Sequence, residues 1–114
     1  MVVGLLGFGT VGGGVYELLN HRKDITKDIT VKYVLDRYIH DEISAVSTTD
    51  FNDIINDDEV DTVVELMGGI HPAYEYVTAA LEKGKNVITA NKHLISKYYD
   101  ELTANIDYKK RSEY

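Results

Sequence analysis

The chain of 114 residues contains no cysteine, which excludes disulfides and thiolate-held metal ions. It also lacks any apolar run approaching the roughly 20 residues that a membrane-spanning helix needs. The N-terminus carries neither the basic segment nor the long apolar stretch of a secretory signal, which predicts a cytoplasmic protein. Positive charge is scarce as well: 12 Lys and Arg stand against 19 Asp and Glu, for a net charge of −7 and a pI near 4.9. Nucleic-acid binding usually needs a basic face, so this balance argues against it. The remainder is ordinary for one globular domain, with 44% hydrophobic and 27% charged residues. A chain of this length buries about two thirds of the surface it exposes when unfolded.

Glycine, by contrast, is crowded into one place. The opening MVVGLLGFGTVGGGVYELL holds six glycines in its first fourteen residues. Glycine loses the most backbone freedom on folding, so such crowding needs a reason. The pattern Gly7-Phe8-Gly9-Thr10-Val11-Gly12 is G-x-G-x-x-G, and its setting supports it. A short apolar run, VVGLL at 2–6, reads as a buried strand before it. After it, Val11, Val15, Leu18 and Leu19 fall on one helical face that reaches to about Arg22. In this context Gly7 allows the tight turn, Gly9 lets the backbone approach a pyrophosphate, and Gly12 lets helix and strand pack closely. The N–H groups of the first helical turn then face the phosphates. Gly13 and Gly14 weaken the helix, and close packing is the expected reason for them.

Further along, 23–29 reads as a loop and TVKYVL at 30–35 as a strand. A turn through Asp36–Glu42 leads to a weak strand, ISAV at 43–46. Thr49 or Asp50 caps a small helix through Asn56. Asp57, Asp58, Glu59 and Asp61 read as a solvated turn before DTVVELM at 61–67, the strongest strand signal. Pro72, the chain's one proline, suits the first turn of a helix whose buried face is Ala73, Tyr76, Val77, Ala80 and Leu81. Gly84 ends that helix, NVITA at 86–90 is a fifth strand, and Leu94, Ile95, Tyr98 and Leu102 suggest a last helix. The nine tyrosines read as scattered core and surface residues.

Strands alternating with helices predict an α/β fold, a doubly wound, mostly parallel sheet with helices on both faces. The first strand is expected at the centre, with ligand at the carboxyl ends of the strands. Asp36, at the end of the second strand, is placed to accept a hydrogen bond from the 2′-hydroxyl of an adenosine ribose, as in NAD. Arg37 beside it would instead pair with the 2′-phosphate of NADP, so cofactor choice stays open. Met67-Gly68-Gly69 follows the fourth strand, and its glycines let ribose or nicotinamide approach the backbone. Thr89-Ala90-Asn91-Lys92 follows the fifth, which gives Lys92 a place at the ligand edge. Glu65 interrupts an apolar strand, either as a hydrogen-bonded structural acid or as a ligand contact. His21, His40, His71 and His93 show no metal-ligand spacing, though His71 and His93 fall in crevice loops.

Taken together, GFGTVGGGV, VDTVVELMGGIHPA and VITANK resemble the nucleotide-binding region of homoserine dehydrogenase, over Val3 to about Leu102. The resemblance implies a Rossmann-like fold, an NAD- or NADP-dependent oxidoreductase that interconverts L-homoserine and L-aspartate 4-semialdehyde, and a homo-oligomer. It implies that Phe8, Thr10 and Val11 contact the cofactor, that Thr89 lies near the nicotinamide, and that Lys92 is the family lysine beside the reactive centre. Family members often carry a basic residue and then an acid at the end of the second strand; here Asp36 precedes Arg37. The family continues into a last nucleotide-binding strand and a substrate domain. Residues 1–114 therefore read as an NAD(P)-binding domain incomplete at its C-terminus and inactive alone. A stand-alone module that senses NAD(H) or NADP(H) and regulates a partner, and a structural fragment whose crevice is empty, are the competing readings.

Overall fold

A computed structural model describes residues 1–97. In chain order it contains β1 (Val2–Leu6), α1 (Thr10–His21), α2 (Lys23–Thr26), β2 (Thr30–Leu35), β3 (Val46–Thr48), α3 (Asn52–Ile55), β4 (Thr62–Glu65), α4 (Ala73–Glu82) and β5 (Asn86–Thr89). A further helical stretch occupies 92–97. The expected Tyr98 and Leu102 positions of that last helix lie outside the described residues.

The strands form one five-stranded parallel sheet in the order β3-β2-β1-β4-β5, with β1 at its centre as expected. Register is what builds the site. Leu6 pairs with Leu35 on one side and Glu65 on the other, so β1, β2 and β4 end level. The residues that follow, Gly7, Asp36 and Leu66, are thereby brought to one edge. Side chains alternate across the sheet. Leu5 and Val34 pack with Tyr16 of α1, while Leu6, Leu35 and Val63 pack with Phe51, Ile54 and Ile55 around α3 and with Ala80 of α4. Both faces are therefore covered. Ala73, Val77 and Leu81 of α4 close over Leu94.

Several boundaries differ from the sequence reading, each for a local reason. The apolar stripe assigned to α1 is rotated: Val11 and Leu18 are 61% and 56% exposed, and Gly12 and Tyr16 are the buried positions. Tyr16 wins because its ring fits the sheet while its hydroxyl finds partners. That hydroxyl lies 3.0 Å from Ser44 Oγ and accepts from the N–H groups of Ser44 and Ala45 at 3.1 and 3.2 Å. Those two N–H groups are then unavailable to a strand ladder, so the third strand begins at Val46 rather than Ile43.

The 23–29 loop contains the short helix α2, where Thr26 Oγ1 donates to the carbonyls of Leu19 and Arg22. Gly13 and Gly14 are not explained by close packing. A Cβ on Gly14 would meet nothing within 4 Å, and one on Gly13 only Phe8 O at 3.9 Å. Asp57 is also no solvated turn residue, with a side chain only 16% exposed. One extra residue in β2, opposite the step from Val3 to Gly4, lets Lys32 and Tyr33 both reach its carboxylate, at 2.6 and 2.7 Å. Asp50 does serve the start of α3, accepting from Asn52 N–H at 2.9 Å, and Gly84 ends α4 at φ +84°.

Candidate functional site

The glycine loop turns sharply at the end of β1. Gly7 N–H donates to Leu35 O at 2.8 Å, holding the loop to β2, and its φ of +102° is a conformation that side chains rarely adopt. Gly12 meets a different demand: a Cβ there would overlap the Gly7 carbonyl oxygen. Gly12 is thus a packing residue beneath the loop. Gly9 is the opposite case, with open space in front of its backbone. It is the N-cap of α1, which has no side-chain cap and no acid in its first turn. The first N–H groups of a helix have no partner within it, and here no side chain has taken that role. That open, uncapped cradle suits an anion.

The cradle opens into a cleft of about 600 Å³ at the carboxyl ends of β1, β2 and β4. Gly7, Phe8, Gly9, Thr10 and Val11 form one wall, Asp36 and Arg37 a second, and Met67 and Gly68 a third. Gly68 and Gly69 adopt φ of +75° and +72°, and a Cβ on either would meet nothing within 4 Å, so this loop presents bare backbone. Eight of the expected cofactor residues are thus gathered: Gly7, Phe8, Gly9, Thr10, Val11, Asp36, Arg37 and Gly68. Gly12, Thr89 and Lys92 are not among the lining residues. Lys92 is exposed at the start of the 92–97 helical stretch.

Thr89 works indirectly, through Glu65. This acid is completely buried, and both its oxygens are engaged. Oε2 accepts from Met67 N–H at 2.8 Å and Oε1 from the Thr89 hydroxyl at 2.5 Å. Thr89 Oγ1 accepts in turn from Asn91 N–H at 3.0 Å. Asn91 donates to the Gly69 carbonyl and accepts from Leu94 N–H at 3.1 Å. Loop 67–69 and the segment after β5 are therefore tied into one unit. Glu65 is a structural acid, and Asn91 is a positioning residue the sequence reading did not single out. An Asn directly before a helical stretch was its available signal.

Thr49, His71, Pro72 and Tyr76 also line the cleft. Thr49 follows β3, so the rule that ligands sit beyond strand ends would have found it. Tyr76 shares α4's buried side with Val77, and only its stacking on Phe51, with centroids 4.3 Å apart, shows how it reaches the cleft wall. His71 pairs with Glu75 one helical turn on, across the cis His71–Pro72 bond. At the opposite wall, His40 Nε2 lies 2.6 Å from Asp36 Oδ2, and that carboxylate raises the imidazole above its usual range. Among the described residues no group of His, Cys, Asp or Glu could hold a metal ion.

The family model for the homoserine dehydrogenase NAD binding domain matches residues 7–112. Homoserine dehydrogenase of Bacillus subtilis is 38% identical over 112 residues, a match covering 90% of this chain and 26% of the relative. That of Synechocystis is 40% identical over 108 residues, covering 88% and 25%. Among solved structures, a homoserine dehydrogenase from Thiobacillus denitrificans superposes with a TM-score of 0.86 at 41% identity, over 96% of this chain and 28% of that one. The chain thus spans about a quarter of the length of the curated relatives it matches. On the family match and on a glycine cradle set at the ends of a parallel sheet, this chain belongs to the NAD-binding domain family of homoserine dehydrogenases.

Proposed function

We propose that residues 1–114 act as the dinucleotide-binding domain of an NAD(P)-dependent homoserine dehydrogenase, which interconverts L-homoserine and L-aspartate 4-semialdehyde in threonine, methionine and isoleucine synthesis. The observation that carries this reading is the cleft itself. An open Gly9, an uncapped helix start and an acid–arginine pair share one wall-to-wall space. Backbone N–H groups of Thr10 and Val11 would hold the pyrophosphate, with Asp36 and Arg37 at the adenosine ribose and Gly68 beneath the far end. Lys92 and Thr89 belong to the nicotinamide side, where Lys92 would hydrogen-bond the reacting oxygen, taking its proton as the alcohol is oxidised and returning it as the aldehyde is reduced. The bound nicotinamide supplies the hydride acceptor for alcohol oxidation. The enzyme's partners are then small molecules and copies of itself rather than nucleic acid or membrane, and its compartment the cytoplasm. No helix among the described residues is long and apolar enough to cross a membrane.

Gly9→Val tests the cradle. Its φ of −74° is open to any residue and its Cβ would meet nothing within 4 Å, so the variant should fold. The branched side chain would stand where the pyrophosphate must lie. Calorimetric titration with NAD and NADP should show affinity falling at least tenfold, about 1.4 kcal/mol. Undiminished affinity in the folded variant would refute the cradle. In an assay with homoserine and either cofactor, the 114-residue chain alone should bind cofactor without turnover. Oxidation at about 1 per second or faster would show that these residues suffice for catalysis and overturn that part of the reading.

A further inference from the structure

His40 stands behind the cleft wall rather than in it. Its backbone N–H donates to Ser47 Oγ of β3 at 2.8 Å, which fixes the loop. Its ring lies against Phe8 of the glycine loop, with centroids 4.6 Å apart. Nε2 is 2.6 Å from Asp36 Oδ2, and Nδ1 is 3.5 Å from Glu42 Oε1. The groups facing the imidazole are therefore two carboxylates, one from the end of β2 and one from its own loop. Phe8 and Ser47, from the glycine loop and β3, bring no charge. A neutral ring can donate to one carboxylate only, whereas the imidazolium donates to both. Its partner Asp36 and the following residue, Arg37, both line the cleft and are the residues on which the ribose end depends.

We propose that His40 is a specificity-determining residue that selects between the 2′-phosphate of NADP and the 2′-hydroxyl of NAD by setting the charge that Asp36 presents to the cleft. With the ring protonated, Asp36 is offset and Arg37 dominates, so a 2′-phosphate is accepted. With the ring neutral, the carboxylate keeps its full negative charge, its Oδ1 still accepting from the Arg37 backbone N–H at 2.8 Å, and it repels a phosphate and accepts from a hydroxyl. The hydrogen bond to Asp36 raises the imidazole above its ordinary range, which moves the exchange to higher pH than for a free imidazole. His40 acts through Asp36 without touching the ligand. This inference rests on the reading above that the adenosine ribose lies at Asp36 and Arg37.

The test is calorimetric titration of the 114-residue chain with NAD and with NADP at about pH 6 and about pH 8.5, as wild type, His40→Gln, His40→Arg and Asp36→Asn. The 2′-phosphate ionises near pH 6 itself, so the readout is the NADP-over-NAD preference of wild type against that of each variant. Raising the pH should lower this preference roughly two- to fivefold more in wild type than in His40→Gln. His40→Arg, cationic throughout, should keep the low-pH preference at high pH. Superimposable preference curves for wild type and both variants, with Asp36→Asn still weakening NAD, would overturn the role of His40 and leave the ribose assignment standing. If Asp36→Asn changes neither affinity, or if neither dinucleotide binds, the ribose assignment fails and the inference falls with it. Should His40→Gln not fold, the same curves for wild type and His40→Arg decide.

Discussion

Glu65 has no exposed surface, yet it is an acid at the carboxyl end of an apolar strand, with two donors pointed at it. A buried carboxylate is tolerated when hydrogen bonds replace its lost water, and here Met67 N–H and the Thr89 hydroxyl do so. Sequence marks the residue as odd but leaves two roles open, because a charge inside TVVE implies a partner without naming it. Glu65→Ala should leave both donors unsatisfied and cost about 1–3 kcal/mol of stability, measurable by urea denaturation. Glu65→Gln offers one acceptor and one donor where two acceptors are needed, so it should recover only part of the loss. A Glu65→Ala variant as stable as wild type would mean that the two loops are held by something else.

At the scale of elements, α1 shows the difference between a pattern and a packed face. Val11, Val15, Leu18 and Leu19 satisfy the helical period, but Val11 and Leu18 point to solvent while Tyr16 is drawn in. Period identifies a helix; it does not fix which side meets the sheet when a large ring with a polar tip competes. The glycines of the same helix divide similarly. Gly12 is required by contact with Gly7, whereas a Cβ on Gly14 would enter open space, and its φ is not positive. Gly14→Ala should therefore stabilise the chain by about 0.4–1 kcal/mol, chiefly by restricting the unfolded state. A rise in denaturation midpoint with unchanged denaturant slope is the expected result, and a fall would reveal a hidden need for backbone freedom there.

For the whole molecule, stability in acid should report on Asp57. It accepts from Lys32, Tyr33 and the Glu59 N–H, and above all the Lys32 ammonium pulls its carboxyl down from 3.8 to about 2. A carboxyl lowered by folding stabilises the native state above its unfolded value, and that contribution disappears as pH falls through the folded one. The contribution is therefore complete above roughly pH 4 and is lost on the way to pH 2. Denaturation followed from pH 5 to pH 2 should be steeper for wild type than for Asp57→Asn, with the variant the less stable at neutral pH. Parallel curves would mean that the Lys32–Asp57 contact contributes nothing in solution.

Element types and their order were legible in the chain because they depend on near neighbours. VVGLL, TVKYVL, TVVE and NVIT are short apolar strands between breakers, and G-x-G-x-x-G marks the turn from a strand into a helix. Their order carried the central β1 and the ligand edge with it. Only the tertiary structure decided what distant residues do to one another. Tyr16 captures the N–H groups of Ser44 and Ala45 and so moves β3, and Glu65 joins the loop after β4 to the end of β5. His40 lies only four residues from Asp36, but what holds its loop there is the hydrogen bond to Ser47 of β3. Hydrophobic period and turn chemistry act over a few residues, so a sequence displays them directly. A hydrogen bond across 24 or 28 residues exists only once the sheet has set its register.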